Sequence, residues 1–306
     1  MDAAFLRLPE RNVQVYRNLM NRLGTAFLLI AACFLFSSCI RTSTVVSVKK
    51  DGSGDIVTRY YFSPQVLSLL EQASGGGGLG LNVPDLGGLQ GLVTPERESL
   101  ERDAAIYGER VTYVKHDPGR DDEGWIGYTV HYTFDDIRTV KLDQNSLPGA
   151  AREYVEAKGQ SFGEEEGGSI TFTMEGNELT IHSTMIAGGM NDLIDQEQIN
   201  QAKEMGMKPS QTLPMAASAT QGMKIAFFVR IEGEVVETTA EHTTGNLIIM
   251  SDTDVSAVMR DPDFAAFIDS AADNPDAVSE ESLRDLFRNI EGMTIELADE
   301  VKVTMD

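Results

Sequence analysis

The residues of this chain that could act chemically are few and widely spaced. Gly159-Gln160-Ser161-Phe162-Gly163 has the G-x-S-x-G spacing that can present a nucleophilic serine on a sharp strand-to-helix turn, with His182 and His242 downstream as bases. Its surroundings oppose that use. A helical stretch precedes Ser161 and Glu164-Glu165-Glu166-Gly167-Gly168 follows, so no helix start is indicated for an oxyanion hole. A serine hydrolase built on Ser161 stands as the alternative reading. Ser47-Val48-Lys49-Lys50 has S-x-x-K spacing, but on a strand the serine and lysine face opposite ways. The glycines of 75–80 follow a helical stretch rather than a strand, which removes the phosphate-cradle reading. A calcium loop starting at Asp51 would need glycine where Ile56 stands and glutamate where Phe62 stands. His116, His131, His182 and His242 form no H-E-x-x-H or close pair, and Met205-Gly206-Met207 is too isolated for thioether copper chemistry. The expectation is therefore no catalytic residue, no metal and no cofactor.

Charge narrows the partners. The chain of 306 residues has formal charge −23, and removing residues 1–38, with four arginines against Asp2 and Glu10, leaves −25. Such a body is repelled by nucleic acid and by bare anionic membrane. The blocks Asp121-Asp122-Glu123 and Glu164-Glu165-Glu166 read as solvated loops, with loose divalent-cation attraction as the alternative.

Cysteine chemistry is more informative. There are two cysteines, Cys33 inside the first apolar run and Cys39 at its end. From Met20 the sequence runs through a short basic start at Arg22 and the apolar stretch 25–36 to Ser37-Ser38-Cys39. That is the three-part layout of a secretory signal, and the run is far short of the ~20 residues a membrane-spanning helix needs. The segment resembles the lipobox of bacterial lipoproteins, in which the cysteine is diacylglycerylated and becomes the new N-terminus. Phe36 replaces the leucine usual three places before the cysteine, and Leu35 lies one place further out. The resemblance implies a signal segment over 1–38, with 1–19 superfluous if Met20 is the start, and a lipid-anchored domain over 39–306. Ile40, rather than aspartate, after the cysteine implies the outer membrane, facing the periplasm, where the source has two membranes. Acylation also accounts for a single cysteine in an oxidising compartment.

The elements after Cys39 are mainly strands. Residues 42–50 and 56–62 flank Asp51-Gly52-Ser53-Gly54 as a β-hairpin, and Ser63-Pro64 opens a helix. A Gly/Leu-rich loop over 74–93 follows, whose Leu79, Leu81, Leu86 and Leu89 need a surface. A helix runs from Pro95 to about Tyr107. Strands at 110–115 and 125–134 are separated by Asp117-Pro118-Gly119 as a turn, and a hairpin pivots on Gly176-Asn177. The stretch 185–223 is rich in methionine, including Met190, Met205 and Met207, adaptable residues suited to packing or to an apolar ligand. Residues 224–231, 234–240 and 246–252 read as three consecutive antiparallel strands. Asp261-Pro262 and Ser279 cap two helices, and 293–305 closes as one strand. The expected fold class is α+β, a single curved antiparallel sheet with helices mainly on one face.

The Asp51-Gly52 hairpin, with Gly233-Glu234-Val235-Val236-Glu237-Thr238 before a late strand, is similar to LppM-type envelope lipoproteins. That resemblance implies a lipid-anchored α+β domain, a non-enzymatic role and contact with envelope lipids, and it carries no binding residue across. The resulting expectation is a lipid-anchored envelope protein of binding or scaffolding type. The lipid on Cys39 holds it to the membrane, while Leu79, Leu81, Leu86, Leu89, Met190, Met205 and Met207 contact an apolar ligand or an envelope protein. The alternative is an envelope serine hydrolase using Ser161.

Overall fold

The structure, a computed structural model, describes residues 40–64, 93–143, 168–184, 208–274 and 278–306. In chain order the strands among them are β1 (Ile40–Lys49), β2 (Gly54–Phe62), β3 (Val111–Arg120), β4 (Ile126–Phe134), β5 (Lys141–Asp143), β6 (Ser169–Glu175) and β7 (Glu178–Ser183). They continue with β8 (Lys224–Glu232), β9 (Val235–Thr238), β10 (Thr243–Thr244), β11 (Leu247–Asp254), β12 (Met293–Ile295) and β13 (Glu300–Met305). The helices are α1 (Arg97–Asp103), α2 (Leu213–Ala219), α3 (Val255–Val258), α4 (Pro262–Asp273) and α5 (Glu280–Asn289), with short 3-10 turns at Ala104–Tyr107, Ile137–Thr139 and Pro209–Thr212.

The expected single antiparallel sheet is replaced by two sheets. One has eight strands in the order β10-β11-β8-β1-β2-β4-β3, with β12 also on β11; the other has five, β5-β6-β7-β13-β9. The first is not wholly antiparallel either, because β1 runs parallel to β8 in the register Thr42↔Ile225 to Lys49↔Glu232. Among the described residues four short links carry the chain between sheets, from β4 to β5, β8 to β9, β9 to β10 and β12 to β13. The stretch from Asp135 to Val140 takes it from β4 to β5. At Glu232–Val235 the expected hairpin is a crossing: β8 pairs with β1 and β11, whereas β9 pairs with β13. Gly233 adopts φ +151° there, a conformation that L side chains rarely take. The last link breaks the expected strand 293–305 into β12 and β13, one in each sheet.

Glu296 organises that last crossing. It is 1% exposed. Its backbone N–H donates to Met250 O at 3.0 Å, while its carboxylate accepts from Glu241 N at 2.8 Å and Ala298 N at 3.1 Å. A buried acid is tolerated because backbone donors occupy both oxygens.

The two sheets share one core. Val46, Val48, Ile56, Tyr132 and Phe134 of the first pack in the same cluster as Ile170, Phe172, Leu179, Ile181, Val301 and Val303 of the second. β1 is buried without a break from Thr44 to Val48, the pattern of a central strand covered on both faces, and its run of Val, Ser and Thr suits that place. Helices do not gather on one face of one sheet. Leu100 and Ala104, with Tyr107, insert into the core shared by both sheets, while Leu213, Val258, Phe264, Ile268, Leu283 and Phe287 make a separate cluster beside β12.

Local signals for helix starts hold. Asp261 accepts from Asp263 N and Phe264 N at the head of α4, and Ser279 exchanges hydrogen bonds with Ser282 at the head of α5. Asp117-Pro118-Gly119, expected as a turn, lies inside β3. That strand is the sheet's edge, where proline leaves no ladder donor unmet, and the turn falls at 121–125 instead. No helix among the described residues is long and apolar enough to cross a membrane.

Candidate functional site

The residues singled out from the sequence, Cys39, Leu79, Leu81, Leu86, Leu89, Ser161, Met190, Met205 and Met207, all lie outside the described residues. Of the two histidines considered as bases, His182 sits on β7 with Nε2 3.1 Å from Thr173 Oγ1 and Nδ1 3.6 Å from Glu300. It is half-exposed on the second sheet, beside Glu300 of the neighbouring strand. Among the described residues no group of three or more histidine, cysteine, aspartate or glutamate side chains is placed to hold a metal.

The first sheet nevertheless builds three side-chain assemblies along its length. At the end where β1 begins, Arg41 is enclosed. Its guanidinium lies 4.1 Å from the centre of the Trp125 ring, Nε donates to Gly222 O at 3.0 Å, and Nη1 pairs with Asp121 at 3.0 Å while Nη2 pairs with Glu123. Asp121 also accepts from Glu123 N and Trp125 N, at 3.0 and 2.8 Å, and so folds the loop that presents both acids. The acidic block expected as a solvated loop is thus partly committed to one arginine. Gly222 completes the enclosure: at φ +83°, a Cβ there would lie 2.9 Å from the Trp125 ring.

Further along, the inner face carries a tyrosine layer. Register sets its rungs: Thr42, Tyr60 and Tyr128 stand side by side on β1, β2 and β4, followed by Thr44, Thr58 and Val130, then Val46, Ile56 and Tyr132. Tyr107 descends from the 3-10 turn after α1, its hydroxyl 3.2 Å from Thr58 Oγ1 and 3.1 Å from the Tyr60 hydroxyl. Thr58 in turn meets Thr44 at 3.3 Å. Ring contacts link Tyr60 to Tyr128 at 5.4 Å and Tyr107 to Tyr132 at 5.1 Å. Burial pushes all four phenols above their ordinary range, and the Asp103 carboxylate adds to the rise at Tyr107, Tyr128 and Tyr132. They are therefore neutral hydroxyls, fit to donate hydrogen bonds and unfit to act as bases at neutral pH. The Tyr128 hydroxyl is the exception in the network: it is fully buried with no hydrogen-bond partner among the described residues.

At the far end, beyond the β1–β2 turn, lies an open cleft of about 240 Å³ lined by Lys50, Asp51, Asp135, Asp136, Arg138 and Met174, with two glycines. Its charges are largely spoken for. Arg138 chelates Asp136 through Nε and Nη2 at 2.9 and 2.7 Å, and these bonds hold the Asp136 carboxyl below its usual range. Hydrogen bonds from Ser53 do the same for Asp51. The arrangement is a solvated ion-pair surface, with Ile137 N bonded to Gly52 O at 2.7 Å to tie the turn to the link between the sheets.

Sequence reasoning missed the Arg41 enclosure and the tyrosine layer. Tyr128, Val130 and Tyr132 alternate visibly on one strand, which marks a common face, but Tyr60 and Tyr107 join them only through pairings between distant segments.

What the fold defines is a β-rich domain of two sheets on a shared core, with an aromatic hydroxyl layer inside it. No protein-family description matches the sequence, and no curated protein does. Among solved structures, the chain has a weak structural similarity to the folded domain of LppM from Mycobacterium tuberculosis, determined by NMR. It has 11% identity and a TM-score of 0.27, over 70% of this chain and 81% of that one.

Proposed function

We propose that the protein is a lipid-anchored envelope protein of binding or scaffolding type, held to a membrane through an acylated Cys39. The observation that carries this reading is the position of β1: Ile40, the residue after the cysteine, is paired with Phe62 in the sheet, and Arg41 is fixed by four groups from two other segments. A chain already paired in the sheet at Ile40 suits a mature protein cut before Cys39. It also leaves almost no tether, so an anchored domain stays at the bilayer surface despite a charge that disfavours contact with anionic lipid.

The anchor is tested by palmitate labelling of cells producing the natural sequence or Cys39→Ser. Label on the first and none on the second is expected; an unlabelled natural protein with residues 1–38 retained refutes the reading. The binding role assigns the leucines of 79–89 and the methionines Met190, Met205 and Met207 to an apolar ligand or an envelope partner. Removing residues 75–92 should leave the folding transition in place and abolish co-purifying lipid or partner. Undiminished co-purification argues against a role for that segment.

A further inference from the structure

A phenol loses an electron readily only when its proton can leave in the same step, and a base held against the hydroxyl supplies that path. The tyrosines among the described residues differ in this respect. Tyr60 and Tyr107 bond to each other and to Thr58, all weakly basic hydroxyls, and Tyr128 has no partner. Tyr61, half-buried on the opposite face of the sheet, has no hydrogen-bonding side chain beside it among the described residues. Tyr113 has an imidazole: its hydroxyl lies 2.8 Å from His116 Nδ1.

A bulge builds this pair. Side chains three apart on a regular strand face opposite ways. In β3 the register passes from Tyr113↔Tyr132 to Lys115↔His131, so Val114 has no partner on β4, and the extra residue turns His116 onto the face that carries Tyr113. Val114 is left 55% exposed. Because β3 is the sheet's edge and both members of the pair are half-buried, small molecules in solution can reach them.

The surroundings tolerate a transient positive charge on the imidazole. Asp117 follows His116, and its carboxyl is held below the ordinary range chiefly by Lys115, with His131 and His116 adding to the effect. It is an anion at neutral pH and favours a proton on its neighbour. Arg97 lies over the Tyr113 ring at 5.7 Å and opposes loss of an electron there, but Glu101 pairs with it at 2.7 Å and offsets that charge.

We propose that Tyr113 and His116 form a site of one-electron oxidation, at which a small radical oxidant takes an electron from the phenol while the phenol's proton passes to the imidazole. The Tyr113 O–H bond breaks, the proton goes to Nδ1 of His116 in the tautomer that carries its hydrogen on Nε2, and the electron reduces the oxidant to its anion. A neutral phenoxyl radical is left beside an imidazolium. Capture of that phenoxyl by a second radical makes Tyr113 the residue that is modified. The chemistry is independent of where the chain is held.

The full chain in detergent is oxidised with photogenerated tris(bipyridine)ruthenium(III) in the presence of a nitroso spin trap, and the trapped residues are mapped by peptide mass spectrometry. Tyr113 should carry several times the label of Tyr61, and heavy water should slow its labelling, because proton and electron leave together. His116→Gln keeps an acceptor for the phenol's hydrogen bond and loses the base, so labelling of Tyr113 should fall about tenfold or more. His116→Ala should lose as much and recover with added imidazole, a rescue that a purely structural histidine would not show. Equal labelling of Tyr61 and Tyr113, parent-like labelling in His116→Gln, or no recovery with imidazole in a His116→Ala chain whose circular dichroism matches the parent overturns the proposal. If His116→Ala does not fold, His116→Gln decides alone.

Discussion

The two ends of the first sheet use the same residue types to opposite effect. Where β1 begins, the Arg41 and Asp121 side chains are 19% and 27% exposed and share their loop with a buried tryptophan. Where β4 ends, Arg110 and Asp135 are 61% and 85% exposed and 3.9 Å apart. Coulomb attraction between unit charges is screened in water and strengthened where protein displaces water, so the first pair is structural and the second is nearly free of consequence. An arginine beside an aspartate says little until the surrounding apolar mass is known.

That contrast can be broken by mutation, beginning with the largest expected effect. Trp125→Ala removes the wall of the Arg41 enclosure and should cost about 3–5 kcal/mol, read as a lower urea midpoint with unchanged slope. Arg41→Ala should cost about 1–3 kcal/mol, because it forfeits charge-assisted bonds and the ring contact and leaves two acids facing each other. If Arg41→Ala left the midpoint unmoved, the two ends would be equivalent after all.

Acid sharpens the comparison. Burial would push the Asp254 carboxyl up, but bonds from the Ala257 N–H and the Ser256 hydroxyl prevail and hold it below its ordinary 3.8. A carboxyl depressed in the folded state stabilises above its unfolded value, and that contribution is lost as pH falls through the folded one. Thermal unfolding of the parent should therefore drop increasingly below about pH 4, and Asp254→Asn should flatten that part of the profile. The smallest effect is expected at the cleft: Arg138→Ala should leave the urea midpoint within error of the parent, since the Arg138 side chain is 62% exposed and water can take its place beside Asp136.

Legibility in the sequence divides along the same line between local and distant. The hairpins at Asp51 and at Gly176-Asn177, the caps at Asp261 and Ser279, and the strands themselves were readable because their causes lie within a few residues. The choice of sheet was not. β8 and β9, separated by Gly233 and Glu234, have the form of a hairpin, and nothing in those residues says that β13 is the true neighbour of β9. Likewise 293–305 alternates as one strand would, while the break depends on Glu296 finding backbone donors from Glu241 and Ala298. Asp117-Pro118-Gly119 has turn composition but lies on an edge, where a strand can hold it. Of the candidate site, the apolar residues proposed for binding fall outside the described part, and the buried hydroxyl of Tyr128 is a property of packing that no spacing announces.

The parallel pairing of β1 with β8 has a consequence in time. Arg41 and Gly222 touch across 181 positions of chain. At a synthesis rate of about 5–20 residues per second, β1 exists for roughly ten to forty seconds before its flanking strand has been made. Through that interval it is paired on one side alone, by β2, while β4 and β3 extend the sheet on the far side of β2. Among the described strands β1 is thus the first to be made and among the last to be flanked on both sides.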